Sequence, residues 1–338
     1  MSGTSASLRR IASEVGVSRT TVSNALRGTG RMSDEMRQRI RETAEAAGYL
    51  PSHAARALRI GRSANLGLVV PDFSMPLFPV FARAFEAAAR RHGLALMVAD
   101  AMGTDDGQAQ AMRELVGRGV DALIVIPLRD TDASASRLPV PIITVDSEAN
   151  AANTVASDHR DGGRQIARHL VDLGHRDIVI LVSSGASTVS SERARGMEEV
   201  FSAAGARMRL VPVAPDFDSA RDFGMTFDPR SATAIAAAYD AQAVGVISAL
   251  RERGIDVPGE ISVTGFDNLI WGRIISPTLT TVAQDLDSIA EHALAVATGT
   301  AHDTRIVPVK LRARASSGPC LSEQSNQDRE KDQCSTQD

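Results

Sequence analysis

A short polar segment near the start of the chain, SRTTVSN at residues 18–24, carries side chains that can bind a nucleic acid. The hydroxyls of Ser18, Thr21 and Ser23 suit contacts to phosphates or base edges, and their small size allows a helix to approach a DNA groove closely. A small helical bundle with a merely solvated polar face would have the same composition. The segment is therefore a candidate DNA-binding surface beside this plainer alternative.

A second group of candidates, for binding a small ligand, lies directly after the apolar runs beyond residue 64. In open α/β sheets, ligands bind beyond the carboxyl ends of the strands, so polar and aromatic residues placed directly after apolar runs form a candidate site. The segments in these positions are residues 72–78, Asp146, residues 183–193, Phe217, Asp240 and residues 267–271.

The chain contains none of the short motifs that mark common catalytic or cofactor sites. No G-x-G-x-x-G, G-x-x-x-x-G-K-[ST] or H-E-x-x-H pattern occurs, so nothing indicates a dinucleotide, a nucleoside triphosphate or zinc. His159 follows Asp158, but such a pair more often marks a helix start, and no nucleophile elbow accompanies it. We therefore predict no catalytic residue, no metal ligand and no cofactor.

Three short amphipathic patterns position the first group of candidates. The first ends at Gly16, Ser18 can cap the second, and the third begins at Ser33 and stops at Gly48. Two helices joined by a tight glycine turn, followed by a third, predict a helix-turn-helix. The expected buried positions are Leu8, Ile11, Ala12 and Val15, then Val22, Ala25 and Leu26, then Met36, Ile40, Ala44 and Ala47.

The charge of the chain is unevenly divided. Residues 1–62 carry 11 arginines and 5 acidic residues, for +6, whereas the remainder carries 26 basic and 36 acidic residues, for −10. A basic head on an acidic body indicates an anionic partner for the head alone, because each cation that neutralises a phosphate adds affinity.

From residue 64 onward, buried apolar runs alternate with amphipathic helical patterns in two successive series. This alternation predicts parallel βαβ units with helices on both faces of each sheet. The predicted fold class is α/β: an all-α N-terminal headpiece with a hinge helix, then two doubly wound parallel α/β lobes.

The motifs together resemble the LacI/GalR family of bacterial transcriptional regulators. LRRIASEVGVSRTTVSNALRG followed by GYLPSHAARAL is similar to the headpiece and hinge of that family. Segments 158–182, 191–205, 240–268 and 277–290 are similar to its effector-binding core, which resembles periplasmic sugar-binding proteins, so the resemblance covers about residues 7–315.

The resemblance implies a role for each DNA-facing residue. Arg19, Thr20 and Asn24 take the base-reading positions, and Leu58 becomes a minor-groove wedge with Ala55 at the close approach and Arg59 against the groove. The implied contacts to the DNA backbone are Ser7, Ser18, Thr21, Ser23, Arg27, Arg31 and Ser33.

The resemblance also implies the effector contacts. Arg193 of the R-x-x-G pattern and Asp267 of G-[FY]-D would clamp neighbouring hydroxyls, or an acid together with an amine. Asp146 and Asp240 are further candidates, although Tyr239 stands where the family usually has Asn before that aspartate. The aromatic residues expected to cover apolar faces of the ligand are Phe78, Phe217 and Trp271.

These implications give a domain plan with a headpiece at 1–50, a hinge at 51–63 and a core at 64–315. Within the core, we expect one lobe at about 64–157 and 283–299 and the other at about 158–281 and 304–315. The polar tail 316–338 is predicted to be disordered.

We predict a repressor, not an enzyme, that binds a palindromic DNA operator as a homodimer under the control of a small effector such as a carbohydrate. A sugar receptor without a regulatory role and a sugar-acting α/β enzyme are the alternatives. The chain has no apolar run of about 18 residues and no secretory signal, and its only cysteines, Cys320 and Cys334, lie near the C-terminus. We therefore expect a cytoplasmic protein that does not enter a membrane.

Overall fold

The structure is a computed structural model that describes residues 8–26, 28–49, 63–127, 137–147, 154–185 and 187–320. The chain divides into two compact units, Met1–Ser63 and Ala64–Asp338, called here the N-terminal and C-terminal units. Most of the predicted hinge lies outside the described residues. The DNA-contact candidates outside them are Ser7, Arg27, Ala55, Leu58 and Arg59.

The described part of the N-terminal unit is a three-helix bundle of α1 (Leu8–Val15), α2 (Arg19–Leu26) and α3 (Asp34–Ala46). Gly16 takes the left-handed conformation, with φ +77°, in the turn between the first two helices. The predicted cap at Ser18 is confirmed, since its Oγ accepts from the Thr21 N–H at 3.0 Å. Ser33, the predicted start of the third pattern, caps α3 by accepting from the Met36 N–H at 3.3 Å. The predicted apolar stripes meet in one small core whose fully buried members are Ile11, Val22, Ala25 and Ile40.

The described strands of the C-terminal unit are, in chain order, β1 (Asn65–Val70), β2 (Ala95–Asp100), β3 (Ala122–Val125), β4 (Ile142–Val145), β5 (Thr154–Ser157), β6 (Asp177–Ser183), β7 (Arg207–Val213), β8 (Ala234–Ala237), β9 (Ser262–Phe266), β10 (Thr280–Ala283), β11 (Arg305–Val307) and β12 (Lys310–Arg312). The helices are α4 (Leu77–Arg91), α5 (Asp105–Gly117), α6 (His159–Asp172), α7 (Thr188–Ala203), α8 (Phe217–Thr226), α9 (Asp240–Glu252), α10 (Trp271–Ile274) and α11 (Leu286–Ala297).

These strands form two sheets, with the orders β11-β5-β4-β3-β1-β2 and β12-β10-β9-β8-β6-β7. Every pairing is parallel except β10 with β12. Helices cover both faces of each sheet: α4 and α11 oppose α5 on the first, and α6 and α7 oppose α8 and α9 on the second. The structure therefore has the two doubly wound lobes that the alternating pattern predicts, called here the first and second lobes.

The chain crosses between the lobes later than the sequence indicates. The prediction places residues 304–315 in the second lobe, but β11 pairs in parallel with β5 of the first sheet, with Ile306 beside Ala156. The return to the second sheet comes only at β12, which pairs with β10. Three residues are too few for an amphipathic pattern, so only the pairing partner shows to which sheet β11 belongs.

The predicted disordered tail also begins too early. Ser316 is fully buried, and its hydroxyl donates to the Val263 carbonyl at 2.6 Å. The Gly318 N–H donates to Ser262 Oγ at 3.0 Å, and the Cys320 N–H donates to the Leu173 carbonyl at 2.8 Å. Backbone and serine hydrogen bonds to distant residues, which polar composition does not reveal, hold this segment on the second lobe as far as Cys320.

Two glycines allow α6 and α7 to cross at close range. A Cβ at Gly163 would overlap the backbone carbonyl oxygen of Arg193, and a Cβ at Gly196 would overlap that of Arg160. Because α7 carries Arg193, this contact between backbones sets how deeply the arginine lies in the second lobe.

We expect Gly163→Ala to lower the free energy of unfolding by about 1–3 kcal/mol, because the new methyl group forces apart two packed helix backbones. Gly117→Ala is the matched control, since a Cβ there meets no atom within 4 Å. Urea unfolding followed by the fluorescence of Trp271, the single tryptophan, measures both variants. Equal stability of the two variants would contradict the proposed close crossing.

Candidate functional site

A cleft of about 340 Å³ lies between the two lobes of the C-terminal unit. Four of the predicted effector residues line it: Phe78, Asp146, Arg193 and Asp267. Phe78 and Asp146 belong to the first lobe, Arg193 and Asp267 to the second, so both lobes contribute to the site. The other lining residues are Pro71, Met75, Pro76, Leu77, Phe81, Ile126, Pro127, Ser183, Ser184, Gly185, Ser187, Val189, Pro215, Tyr239, Ala241 and Leu269.

Arg193 lies at the base of the cleft and is only 1% exposed. One terminal nitrogen donates to Asp267 Oδ1 at 2.9 Å and the other to the Ala238 carbonyl at 2.6 Å, while Nε donates to His159 Nδ1 at 3.3 Å. The guanidinium therefore directs its hydrogen bonds at protein atoms on three sides. Three of its five N–H groups donate to protein atoms in this way, and the expected contact between Arg193 and a ligand stays a prediction.

Aromatic rings enclose the same guanidinium. Its central carbon lies 3.7 Å from the ring centre of Phe266 and 5.1 Å from that of Tyr239. A cation over an aromatic face is stabilised electrostatically, and more so where water is excluded. Tyr239, which differs from the family's usual Asn, thus packs on the arginine and lines the cleft.

His159 connects Arg193 to the first lobe. Because arginine only donates, His159 Nδ1 must accept, and the ring proton lies on Nε2, which is 3.0 Å from Asp146 Oδ1. Burial alone would raise the pKa of Asp146, but His159, the Ser157 N–H and Arg193 together hold it below its usual value. His159, whose place after Asp158 indicates a helix start, therefore also belongs to the site.

Gln284 extends these hydrogen bonds between the lobes. Its amide nitrogen donates to Asp267 Oδ1 at 2.9 Å, and its oxygen accepts from Ser157 Oγ at 2.7 Å. The Ser157 N–H donates in turn to Asp146 Oδ1 at 3.0 Å. We call this set the polar ring; its members are Asp146, Ser157, His159, Arg193, Asp267 and Gln284. The link between His159 Nε2 and Asp146 Oδ1 is a 3.0 Å contact without hydrogen-bond geometry.

The polar ring passes through two of the connections between the lobes, at β5–α6 and β10–α11. Ser157 and Gln284 carry no motif, and their alignment across the two connections appears only in the fold. The only feature of the sequence that points to Gln284 is its place in segment 277–290, which resembles part of the effector-binding core.

Asp240 does not line the cleft, contrary to the prediction. It is fully buried behind the turn at residues 267–269, where its two oxygens accept from the Leu269 N–H at 2.7 Å and from Thr281 Oγ1 at 2.5 Å. Asp267 and Asn268 in that turn have φ +111° and +52°, a region that non-glycine residues rarely adopt. Asp240 therefore supports the strained turn that presents Asp267.

Burial raises the pKa of both neighbouring carboxyl groups. The pKa of Asp240 rises to about 8, mainly through burial and secondly through the charge of Asp267. The pKa of Asp267 is also raised by burial, although the charge of Arg193 acts to lower it.

Phe217 and Trp271 also lie outside the cleft lining. Phe217 begins α8 and packs on the core between α8, α9 and the second sheet. Trp271 begins the short helix α10, and 37% of its surface is exposed. An aromatic residue after a strand can pack on its own lobe as well as face a ligand, and sequence position alone does not distinguish the two.

In the N-terminal unit, α2 presents part of the predicted DNA surface to solvent. Ser18, Arg19 and Thr20 are exposed, as are Arg31 and Ser33, while Thr21, Ser23 and Asn24 are half-buried. The hydroxyls of Ser18 and Thr21 lie 2.9 Å apart. Asn24 packs beside Gly30, where a Cβ would lie 3.2 Å from the Asn24 Cβ.

Two further properties concern only the described residues. None of their His, Cys, Asp and Glu side chains form a group that could hold a metal ion. No helix among them has the length and apolar character needed to cross a membrane.

Comparison with known proteins identifies relatives over nearly the whole chain. Residues 7–52 match the family described as bacterial regulatory proteins, lacI family, and residues 167–317 match the periplasmic binding protein-like domain. The transcriptional regulator GalR of Escherichia coli is 31% identical over 90% of this chain and 91% of its own length. The regulator DegA of Bacillus subtilis is 30% identical over 82% of this chain and 86% of its own. The lac repressor dimer bound to operator and the anti-inducer ONPF superposes with a TM-score of 0.82 at 25% identity, covering 93% of this chain and 99% of that one.

Asp240→Asn should change how stability depends on pH. A group whose pKa rises on folding, here from 3.8 to about 8, stabilises the folded chain fully below its unfolded pKa, and this contribution is lost as the pH rises to the folded pKa. Relative to the variant, the wild-type chain should therefore lose free energy of unfolding between pH 4 and pH 8. Urea unfolding at a series of pH values tests this, and parallel curves for the two proteins would contradict it.

Proposed function

The chain belongs to the lacI family of bacterial regulatory proteins and is a DNA-binding transcriptional regulator rather than an enzyme, and we propose that it represses transcription as an effector-controlled dimer on a palindromic operator. The observation that carries this proposal is the pairing of two units in one chain: a basic three-helix bundle with an exposed α2, and two lobes around a cleft with a polar base. We place the protein in the bacterial cytoplasm, where its DNA partner is found.

In this proposal, α2 enters the major groove. Arg19 and Thr20 are exposed on its first turn, and Arg19 suits a bidentate contact to guanine. Asn24 approaches a base from the end of α2 nearest Gly30. The proposed contacts to phosphates and sugars are Ser7, Ser18, Thr21, Ser23, Arg27, Arg31 and Ser33.

The hinge connects DNA binding to the cleft. We propose that residues 51–63 of two subunits pair in the minor groove, with Leu58 as the wedge, Ala55 at the close approach and Arg59 beside the groove. The headpiece at 1–50 and the core at 64–320 then act as separate bodies that this segment joins.

The effector is proposed to bind among Phe78, Asp146, Arg193 and Asp267, where it touches both lobes. A ligand shifts a conformational equilibrium only if it binds the two states with different affinity. The polar ring supplies such a difference, because Asp146 and Asp267 lie in opposite lobes and both face the cleft. A lobe rearrangement caused by the ligand would alter the spacing of the paired hinges and so the fit of the headpieces to the operator.

Selection from a random pool of DNA duplexes tests the proposal with the full chain. We expect enrichment of a twofold-symmetric site, followed by a gel shift that is specific for it at moderate salt. Recovery of sequences with no symmetry, or no preference over random DNA, would contradict the proposal.

We expect Arg19→Ala to weaken binding to the selected site by about 1–3 kcal/mol, that is roughly 5- to 150-fold, and to relax preference at one base pair in each half-site. Arg41→Ala is the matched control, because Arg41 is an exposed arginine of α3 outside the proposed contacts. Fluorescence anisotropy on specific and scrambled duplexes measures both. Equal losses in the two variants would show that Arg19 contributes only charge.

A further inference from the structure

The turn that presents Asp267 depends on anchors from several parts of the second lobe. Asp267 and Asn268 both have positive φ, a conformation that non-glycine residues keep only where their surroundings impose it. The Asp267 N–H donates to the Val282 carbonyl at 2.9 Å, and the Asn268 N–H donates to Thr281 Oγ1 at 3.2 Å. Asp240 holds the third amide of the turn. These bonds fix the backbone, and the Asn268 side chain has a further partner.

That partner is Arg314, two residues after the end of β12. One terminal nitrogen of Arg314 donates to Asn268 Oδ1 at 2.5 Å, and the other donates to the Leu279 carbonyl at 2.7 Å. The Leu279 N–H donates in turn to the carbonyl of Gly272, in α10, at 2.7 Å. Arg314 therefore holds the turn directly and, through Leu279, the helix that follows it.

The bond between Arg314 and Asn268 is charge-assisted and partly shielded from water. A hydrogen bond with one ionised partner is roughly twice as strong as a neutral one. Arg314 is half-buried, and burial lowers its pKa, whereas the charge of Asp240 acts to raise it. The guanidinium thus lies near the carboxyl group that anchors the same turn from α9.

The segment that carries Arg314 is fixed without help from its guanidinium. The Arg314 N–H donates to Thr280 Oγ1 at 2.8 Å, and the Ser316 N–H donates to the Thr278 carbonyl at 2.9 Å. The Ser316 hydroxyl also accepts from the Thr280 N–H at 2.9 Å and donates to the Val263 carbonyl. These bonds remain when the side chain of Arg314 is replaced. Loss of the guanidinium therefore acts on the turn rather than on the position of the segment.

We infer that Arg314 is a positioning residue for the proposed effector contact Asp267. Arg314 does not line the cleft, but it completes the set of anchors that holds the turn. In the conformation so held, Asp267 Oδ1 meets Arg193 and Gln284. A segment beyond β12 thereby determines the geometry of the cleft. The inference rests on the proposed function for the role of Asp267, whereas the order of the turn is measured without a ligand.

Hydrogen exchange of the full chain, read by mass spectrometry, measures the order of the turn. In Arg314→Met, we expect the protection factors of amides 267–272 to fall at least about tenfold, because the turn loses one of its anchors. Helix α8 of the same lobe takes no part in these bonds, and its protection should stay within about twofold of the wild-type value. Urea unfolding verifies that the variant folds.

Two further variants separate this bond from charge and from general stability. Arg312→Met removes the same charge from an exposed arginine of β12 and should leave the protection of residues 267–272 within about twofold. Asn268→Gly removes the acceptor, and glycine adopts the φ of +52° without strain, so protection should fall as in Arg314→Met. In the Asn268→Gly background, Arg314→Met should add less than about threefold, since both changes break one bond. Asn268→Gly keeps the inference testable where Arg314→Met does not fold.

Four results would overturn the inference: undiminished protection of residues 267–272 in Arg314→Met or in Asn268→Gly, an equal loss in Arg312→Met, an equal loss in α8, or additive effects of the two substitutions. An equal loss in α8 would show that Arg314 only stabilises the lobe. Selection of a symmetric DNA site is a separate experiment, so failure here leaves the regulatory proposal standing.

Discussion

The buried ion pair between Arg193 and Asp267 constrains the architecture of the core more than any other contact. Both side chains are almost completely buried, with 1% and 3% of their surface exposed. Removing charges from water costs several kcal/mol per ion, so such a pair persists only where further hydrogen bonds surround it. Ala238, His159 and Gln284 supply those bonds, and Phe266 covers the guanidinium face. Several elements of the second lobe must therefore meet at one point.

The rest of the site follows from this requirement. Gly163 and Gly196 let α7 approach α6 closely enough to bury the arginine, and Asp240 holds the strained turn that presents Asp267. Each lobe keeps its own apolar cores, whereas the polar ring joins the two lobes through hydrogen bonds. Hydrogen bonds can exchange partners at lower cost than a packed core can be divided. The contact between lobes is thus the part of the core best suited to respond to a ligand.

The sequence predicted the features that depend on local pattern. The three N-terminal helices and the alternation of strands and helices follow from periodicity over short stretches, and the cap at Ser18 and the helix start at Ser33 follow from residue type. The family resemblance implies Arg193 and Asp267 as effector contacts, and both residues line the cleft. The misplaced or missed features depend on distant pairing: β11 has too few residues for a pattern, the segment at 316–320 is held by hydrogen bonds to residues far away in the sequence, and Gln284 meets Asp267 only through the fold. Three predicted ligand residues follow strands but do not line the cleft. Asp240 is buried, Phe217 packs on the core of the second lobe, and Trp271 is partly exposed outside the cleft.

The central claim is that the polar ring carries the coupling between the cleft and DNA binding. It is tested most directly by operator affinity, with and without a saturating cleft ligand, in the wild-type chain and in Gln284→Met. That substitution opens the ring at a residue that does not line the cleft. The account predicts a ligand effect of about 1–3 kcal/mol on operator affinity in the wild type and loss of most of it in the variant, with ligand affinity within about threefold. An undiminished ligand effect in Gln284→Met would contradict the account.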